Sequence, residues 1–263
     1  MGLIDCPPRT KKNTIMKDTY IQHKIISIPA TTGTHVYSFL FKADDCYDFL
    51  SGIGCYAIGS NQPTADDIKL EFRSDYKSIL SFSPYALWVK NPQSAAFNMQ
   101  DVYKPLHVDA RGRNFYLNVK VTNCNAFTFV ALVKQTTFAI PCVRYDAQSW
   151  DIAAPTLGQG FEITLPSDFT KCKGIVTTGG QVANINFIGF EIYDSAGQIV
   201  DPLPMSILTP SVDTAYDNTF LPVNFDSKAK QLNVRLSALG TLTTAYVPTN
   251  YTVTFLLIDE NNA

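Results

Sequence analysis

Leu117-Asn118-Val119-Lys120-Val121 and Leu232-Asn233-Val234-Arg235-Leu236 are two versions of one alternating segment, and each sits inside a longer echo. Pro105-Leu106-His107-Val108-Asp109 leads into the first, and Phe127-Thr128-Phe129-Val130-Ala131-Leu132-Val133 follows it. Pro222-Val223-Asn224-Phe225-Asp226 leads into the second, and Val253-Thr254-Phe255-Leu256-Leu257-Ile258 follows it. Upstream, Phe41-Lys42-Ala43-Asp44 is matched by Leu165-Pro166-Ser167-Asp168, and Ile68-Lys69-Leu70-Glu71-Phe72 by Ile188-Gly189-Phe190-Glu191-Ile192. One such match is what any two strands drawing on the same residue types would give. Several in the same order, with offsets between 115 and 126 residues, argue for a unit of about 120 residues present twice, with loops of different length between fixed strands.

The period of these segments is two. Leu232, Val234 and Leu236 alternate with Asn233, Arg235 and Ser237, and Phe161, Ile163 and Leu165 alternate with Glu162 and Thr164. Each such strand has one apolar and one wet face, as in an antiparallel sandwich. Val36 to Phe41 carries bulky groups on both faces. Phe187 to Tyr193 meets the turn cluster Asp194-Ser195-Ala196-Gly197 and resumes at Gln198-Ile199-Val200, a hairpin signature; Ser74-Asp75-Tyr76-Lys77 occupies the same place in the first copy. Helical period is scarce, with Ser94 to Met99 the one candidate for a turn or two of helix. The class expected is all-β.

Composition narrows the work this chain can do. Of its 263 residues, 46% are hydrophobic but only 17% are charged, and Tyr and Phe together number 13 and 17. Solvated flanks are normally charged, so a charge-poor, aromatic-rich chain is expected to bury its sides against partners. A net charge of −2 offers no global field for nucleic acid, and no specific nucleic-acid partner is expected. No apolar run reaches membrane-spanning length, and Met1 to Cys6 lacks the apolar core of a signal peptide.

Chemistry-bearing motifs are thin. His23, His35 and His107 do not accompany a nucleophile elbow, and Thr177-Thr178-Gly179-Gly180 lacks the Lys-Ser/Thr ending of a phosphate loop. Six scattered cysteines form no CxxC pair, and with three histidines no zinc pattern arises. The acidic groups Asp44, Asp45, Asp48 and Asp66, Asp67 carry oxygens suited to Ca²⁺ but not the spacing of a calcium loop; they read as solvated loops. The expectation is therefore no catalytic residue, no metal and no cofactor, and no enzyme activity.

Four regions are expected along the chain: an N-terminal arm over 1–34, a first sandwich over 35–140, a connection over 141–160 and a second sandwich over 161–263. Arg9, Lys11, Lys12, Lys17 and Lys24 make the arm basic and suit it to an anionic surface or a neighbouring subunit. Phe138, Tyr145 and Trp150 are expected to pack between the sandwiches, because the connection is too apolar for a plain linker. Long non-strand stretches at 83–101 and 201–218 fall at matching places, and Trp88 in the first is a candidate for the surface or for contacts between subunits. Trp88 and Trp150 also raise a second reading, a spike or attachment protein with tandem β-sandwiches that stacks aromatic rings on carbohydrate.

With its tandem similar β-units, low charge and repeated Pro-to-Asp, Leu-Asn-Val and Phe/Val-Thr-Phe segments over about residues 35–259, the chain resembles the double jelly-roll major capsid proteins of tailless icosahedral viruses with an internal membrane, the corticovirus-like and tectivirus-like phages. That resemblance implies two tandem eight-stranded antiparallel jelly-roll sandwiches and a homotrimer of pseudo-hexagonal outline that tiles a virion shell. It further implies penton or minor capsid proteins as partners, an internal viral membrane beneath the basic arm, and a place in the virion after synthesis in the host cytoplasm. The chain lacks the long insertions that build towers in larger relatives, which leaves no segment for host recognition.

Overall fold

The protein is described by a computed structural model covering residues 19–59, 62–63, 68–91, 102–138, 144–180, 184–210 and 219–260. Nine strands build the first sandwich: β1 (Thr19–Ile28), β2 (Thr31–Lys42), β3 (Phe49–Ile58), β4 (Lys69–Ser74), β5 (Ser78–Pro84), the two-residue β6 (Val89–Lys90), β7 (Tyr103–Asp109), β8 (Asn114–Cys124) and β9 (Phe127–Thr136). Eight build the second: β10 (Arg144–Ile152), β11 (Gly160–Thr164), β12 (Lys171–Gly179), β13 (Ile188–Asp194), β14 (Gly197–Pro204), β15 (Leu221–Asp226), β16 (Gln231–Ala238) and β17 (Tyr251–Asp259). One helical turn follows the fifth strand of each, α1 (Tyr85–Trp88) and α2 (Met205–Leu208).

The strand order is the same in both halves. In the first, one sheet runs β1-β9-β3 with β7 on the far side of β3, and the other runs β2-β8-β4-β5. In the second, the sheets run β10-β17-β12-β15 and β11-β16-β13-β14. Leaving aside β6, both read first-eighth-third-sixth and second-seventh-fourth-fifth. That is the order of an eight-stranded jelly roll, two four-stranded antiparallel sheets connected by Greek keys. The chain is two jelly rolls in tandem.

Register repeats as well as order. Phe72 faces Leu80, Arg73 faces Ser78 and Leu70 faces Ser83 across β4–β5. The residues 120 positions on, Ile192 and Val200, Tyr193 and Gln198, Phe190 and Leu203, face one another across β13–β14. A bulge interrupts β3 between Leu50 and Gly52 and β12 between Cys172 and Gly174. At both bulges the glycine lies opposite a proline, Pro105 or Pro222. Both glycines are needed for close approach: a Cβ would sit 3.2 Å from Tyr103 Cβ at Gly52 and 2.6 Å from Phe220 Cβ at Gly174. Proline is tolerated here because β7 and β15 are edge strands beside a bulge, where no second ladder needs its missing N–H.

Each sandwich closes over its own core. Leu70, Phe72, Phe115, Leu117, Val119 and Phe129 fill the first, with the rings of Phe72 and Phe115 stacked 5.7 Å apart. Phe190, Ile192, Val234, Tyr251, Val253 and Phe255 fill the second. Full burial of each such side chain contributes about 1.5–3 kcal/mol. The hairpin turn expected at Asp194 is built by that side chain, whose Oδ1 accepts the backbone N–H of Ala196 at 2.8 Å and of Gly197 at 3.0 Å.

Two expected boundaries move. Residues 19–28 are not an arm: β1 pairs with β9 along its whole length, and Ile26 and Ile28 enter the core. Residues 144–152 are not a connection either, because β10 is the first strand of the second jelly roll and pairs with β17. Edge strands with one partner need less apolar content than central ones, so their alternation is weak in sequence.

Candidate functional site

The two sandwiches meet edge to edge and edge to face. The free edge of β5 in the first abuts the free edge of β10 in the second. An unpaired sheet edge leaves backbone N–H groups to satisfy, and Asp146 on β10 does this. Its Oδ1 accepts the backbone N–H of Ser81 at 2.9 Å and its Oδ2 the Ser81 hydroxyl at 2.7 Å. The Gln148 amide donates to both Asp146 Oδ2, at 2.6 Å, and Ser81 Oγ, at 2.8 Å. Burial raises the Asp146 carboxyl above its ordinary value, and the bonds from Ser81 and Gln148 and the charge of Lys104 offset part of that rise.

Further contacts widen the joint. Lys69 Nζ bonds both carboxylate oxygens of Asp151 at 2.5 Å. Lys90 Nζ donates to Thr219 Oγ1 at 3.0 Å. The apolar core of the first sandwich continues onto the outer face of the second sandwich's sheet, where Ala147, Val176 and Phe220 belong to the same buried cluster as Leu87 and Trp88.

Beside this joint lies a group of buried ionisable side chains. The Lys104 ammonium sits 3.7 Å over the Trp88 ring, a cation–π contact away from solvent. Burial pulls its pKa down to about 7, while Cys55 and Asp146 act to raise it. Burial likewise pushes the Cys55 thiol up to about 12, Lys104 opposing. A thiol held protonated is a poor nucleophile, and an enclosed ammonium over an indole works as a packing clamp.

Sequence-based candidates fall as follows. Arg9, Lys11, Lys12 and Lys17 lie outside the described residues. Lys24 is on β1, where its Nζ donates to Leu40 O at 3.0 Å and lies 5.7 Å over the Phe41 ring, so it bridges strands of its own sandwich. Phe138 is 49% exposed, so the expected packing between sandwiches is not made by it. Trp150 turns into the second core, edge-on to Phe255 at 5.5 Å, and not into the joint. Tyr145 pairs through its backbone with Ile258; its side chain is outside the described part. Trp88 is 1% exposed, with its indole N–H donating to Ser83 Oγ at 2.7 Å. It is a core residue of the first sandwich, not a surface one, because α1 turns it inward. Trp88 presents no open ring to a sugar, and Trp150 is part-buried against the second core.

The expected acidic loop at 44–48 is locally satisfied: Asp44 Oδ1 accepts Cys46 N–H at 2.8 Å and Asp48 pairs with Arg111 at 3.4 Å. Asp66 and Asp67 lie outside the described residues, as does the Ser94–Met99 segment. Among the described residues no group of three or more His, Cys, Asp and Glu side chains converges, and no helix is long and apolar enough to cross a membrane. An open cleft of about 780 Å³ at one end of the second sandwich contains two ion-paired carboxylates, Asp194 with Lys230 and Asp226 with Lys171. Sequence reasoning missed Ser81, Lys69, Asp146, Gln148 and Asp151. For Asp146, Gln148 and Asp151 the signal is a polar run, Arg144 to Asp151, at the place where the repeat demands a first strand; Lys69 and Ser81 carry none.

No family model matches the chain, and no curated protein matches it in sequence. Among solved structures it is similar to the major capsid protein P2 from Bacteriophage PM2, at 10% identity over 92% of this chain and 100% of that one, with a TM-score of 0.41. It is similar to PNGF-II at 11% identity over 91% and 60% of the two chains, TM-score 0.33. It is also similar to PBCV-1 VP54, fitted into a cryo-EM reconstruction of the virophage Sputnik, at 9% identity over 94% and 86%, TM-score 0.30. None of these superpositions carries the fold assignment, which rests on this chain's own strand order and register.

Proposed function

We propose that this chain is a non-enzymatic structural shell subunit that assembles with copies of itself: three chains form a ring of six sandwiches, and the rings tile an icosahedral virion. One observation carries the reading. The two jelly rolls match in strand order and in hairpin register, and they are joined by a polar and apolar seam that runs from an edge of the first onto a face of the second. A unit that can join its own twin side by side has the geometry of a tile. The low charge, 17%, fits flanks that are covered in an assembly. In such a shell the basic segment before β1 faces an internal membrane or a neighbouring subunit, and penton or minor proteins complete the vertices. Synthesis takes place in the host cytoplasm and the mature location is the virion.

Mass measurement of the purified chain in solution tests this, with electron microscopy of the expressed protein alongside. A trimer, and six-lobed rings or shells, are expected. A monomer at high concentration that forms no particles overturns the proposal.

A further inference from the structure

The chain makes one joint internally and carries the unpaired halves of a second. α1 and α2 recur 120 residues apart, each directly after the proline that ends a hairpin, Pro84 or Pro204. Tyr85 meets Phe127 and Phe129 edge-on and Trp88 lies under Lys104, all of the first sandwich, and their counterparts Met205 and Leu208 join the core of the second. The remaining apolar residue of each turn behaves differently. Leu87 is 0% exposed and shares a buried cluster with Ala147, Val176 and Phe220 of the second sandwich. Ile207, its counterpart, is 57% exposed. Each turn sits the same way on its own sandwich, so the difference, among the described residues, is the second sandwich, which borders α1 and not α2. The same holds one strand earlier: Ser81 on β5 binds Asp146, whereas its counterpart Asp201 lies exposed on β14.

The receiving surface is present twice as well. Gly52 faces Lys134, which faces Ile21 on β1; Gly174 faces Leu256, which faces Ala147 on β10. Tyr20, Ile21 and Gln22 are therefore the counterparts of Asp146, Ala147 and Gln148. Those three on β10 meet the first sandwich. On β1, Tyr20 and Ile21 are 39% and 45% exposed, and Gln22 Oε1 is buried with no hydrogen-bond partner among the described residues.

We infer that copies of this chain join head to tail through these two surfaces, α2 and the β14 edge of one copy seating against the β1 edge of the next, in repetition of the internal joint. The inference rests on the shell reading and adds which surfaces meet. Ile207 supplies the aliphatic side chain that Leu87 supplies within the chain. The polar contact keeps its place with donor and acceptor exchanged, across a gap widened by the longer side chain: the Tyr20 hydroxyl donates to the Asp201 carboxylate where Ser81 donates to Asp146. A head-to-tail contact closes into a ring when its rotation divides a full turn, and three chains of two sandwiches each make six.

Light scattering on the full chain reads the outcome. Ile207→Asp places a charge where apolar contact is required, and the mass is expected to fall to one third of the wild-type value. Circular dichroism is expected to stay the same, because Ile207 is not part of the core. Tyr76→Asp, on a turn at 88% exposure away from both surfaces, is expected to leave the mass unchanged. A second test does not depend on the tolerance of α2. In the internal joint Ser81 N lies 2.9 Å from Asp146 Oδ1, so those two positions stand across from each other. In a Cys46→Ser background, which removes the exposed native thiol, the pair Tyr20→Cys with Asp201→Cys is therefore expected to be joined by a short bismaleimide into a ladder ending at three chains, and neither single variant to do so. A wild-type trimer that persists in Ile207→Asp, or that fails to cross-link in the double variant, overturns these surfaces and leaves the shell reading standing. A monomeric wild type overturns both.

Discussion

Replacing Asp146 separates a buried charge from the bonds that it makes. In Asp146→Ala the Ser81 backbone N–H on the β5 edge loses its acceptor. The Ser81 hydroxyl and the Gln148 amide still have each other, 2.8 Å apart. One stranded buried donor costs about 1–3 kcal/mol, and the small void left by the carboxylate adds about 1 kcal/mol, so a loss of about 2–4 kcal/mol is expected. For a chain of this size that lowers the melting temperature by about 4–8 °C. Asp146→Asn is the informative contrast. Its amide oxygen accepts the Ser81 N–H as before, and the Ser81 hydroxyl and Gln148 amide can turn to meet the new N–H₂, so a loss under about 1 kcal/mol is expected. The pH dependence follows from the sign of the shift. The folded-state pKa of Asp146 is raised above the unfolded value, so the native state holds its proton longer, and this residue's contribution favours folding at low pH and declines as pH climbs from the unfolded pKa to the folded one. Asp146→Asn removes that decline. Urea unfolding from pH 3 to 8, followed by tryptophan fluorescence and circular dichroism, measures both effects, and divergence of the two probes in Asp146→Ala reports uncoupling of the sandwiches. Equal losses in the Ala and Asn variants, or none in either, would refute the edge-capping role.

Other outcomes are as definite. Lys104, held near pKa 7 by burial against an unfolded value near 10.5, takes up its proton less readily folded than unfolded. Stability from this group therefore rises as pH goes from 7 to 10, and Lys104→Met is expected to abolish that rise in unfolding measurements. In a Trp150→Phe background, Trp88 fluorescence is expected to titrate near pH 7, since the ammonium lies over its ring. Gly174→Ala drives a Cβ to 2.6 Å from Phe220 Cβ and is expected to cost about 1–3 kcal/mol, against a smaller loss for Gly52→Ala, whose contact is 3.2 Å; equal melting temperatures would contradict the close-approach argument. Lys69→Gln is expected to cost under about 1 kcal/mol and less at high salt, because Asp151 is 67% exposed; a large, salt-insensitive loss in chemical denaturation would show the pair to be structural.

Particular residues show what alternation alone can and cannot establish. The Pro-to-Asp segments and the pair Leu70-Glu71-Phe72 and Phe190-Glu191-Ile192 match in space as they do in sequence. The Leu-Asn-Val tripeptides do not. Glu71 faces Asn118 and Glu191 faces Arg235, so the spatial counterpart of Asn118 is Arg235, two residues beyond Asn233. The Phe-Thr-Phe and Val-Thr-Phe segments are four residues out of step in the opposite direction, since Gly52 and Gly174 place Lys134 and Leu256 at equivalent positions. Both slips are even, and an even slip keeps every side chain on its face. Pro105 and Pro222 could not slip, because each is tied to a bulge glycine on the neighbouring strand.

The all-β class, the tandem repeat and the apolar face of most strands were therefore legible in the amino-acid order, because a period of two and the twofold recurrence are local properties. The edge strands β1 and β10, the burial of Trp88 and the role of Asp146 were not. An edge strand is half-paired and can be polar, and a carboxylate becomes a cap only when an unpaired N–H from another sandwich arrives beside it. Leu87 and Ile207 make the same point: they are alike in sequence and in local structure, and only the arrangement of one sandwich on the other buries the first and leaves the second in solvent.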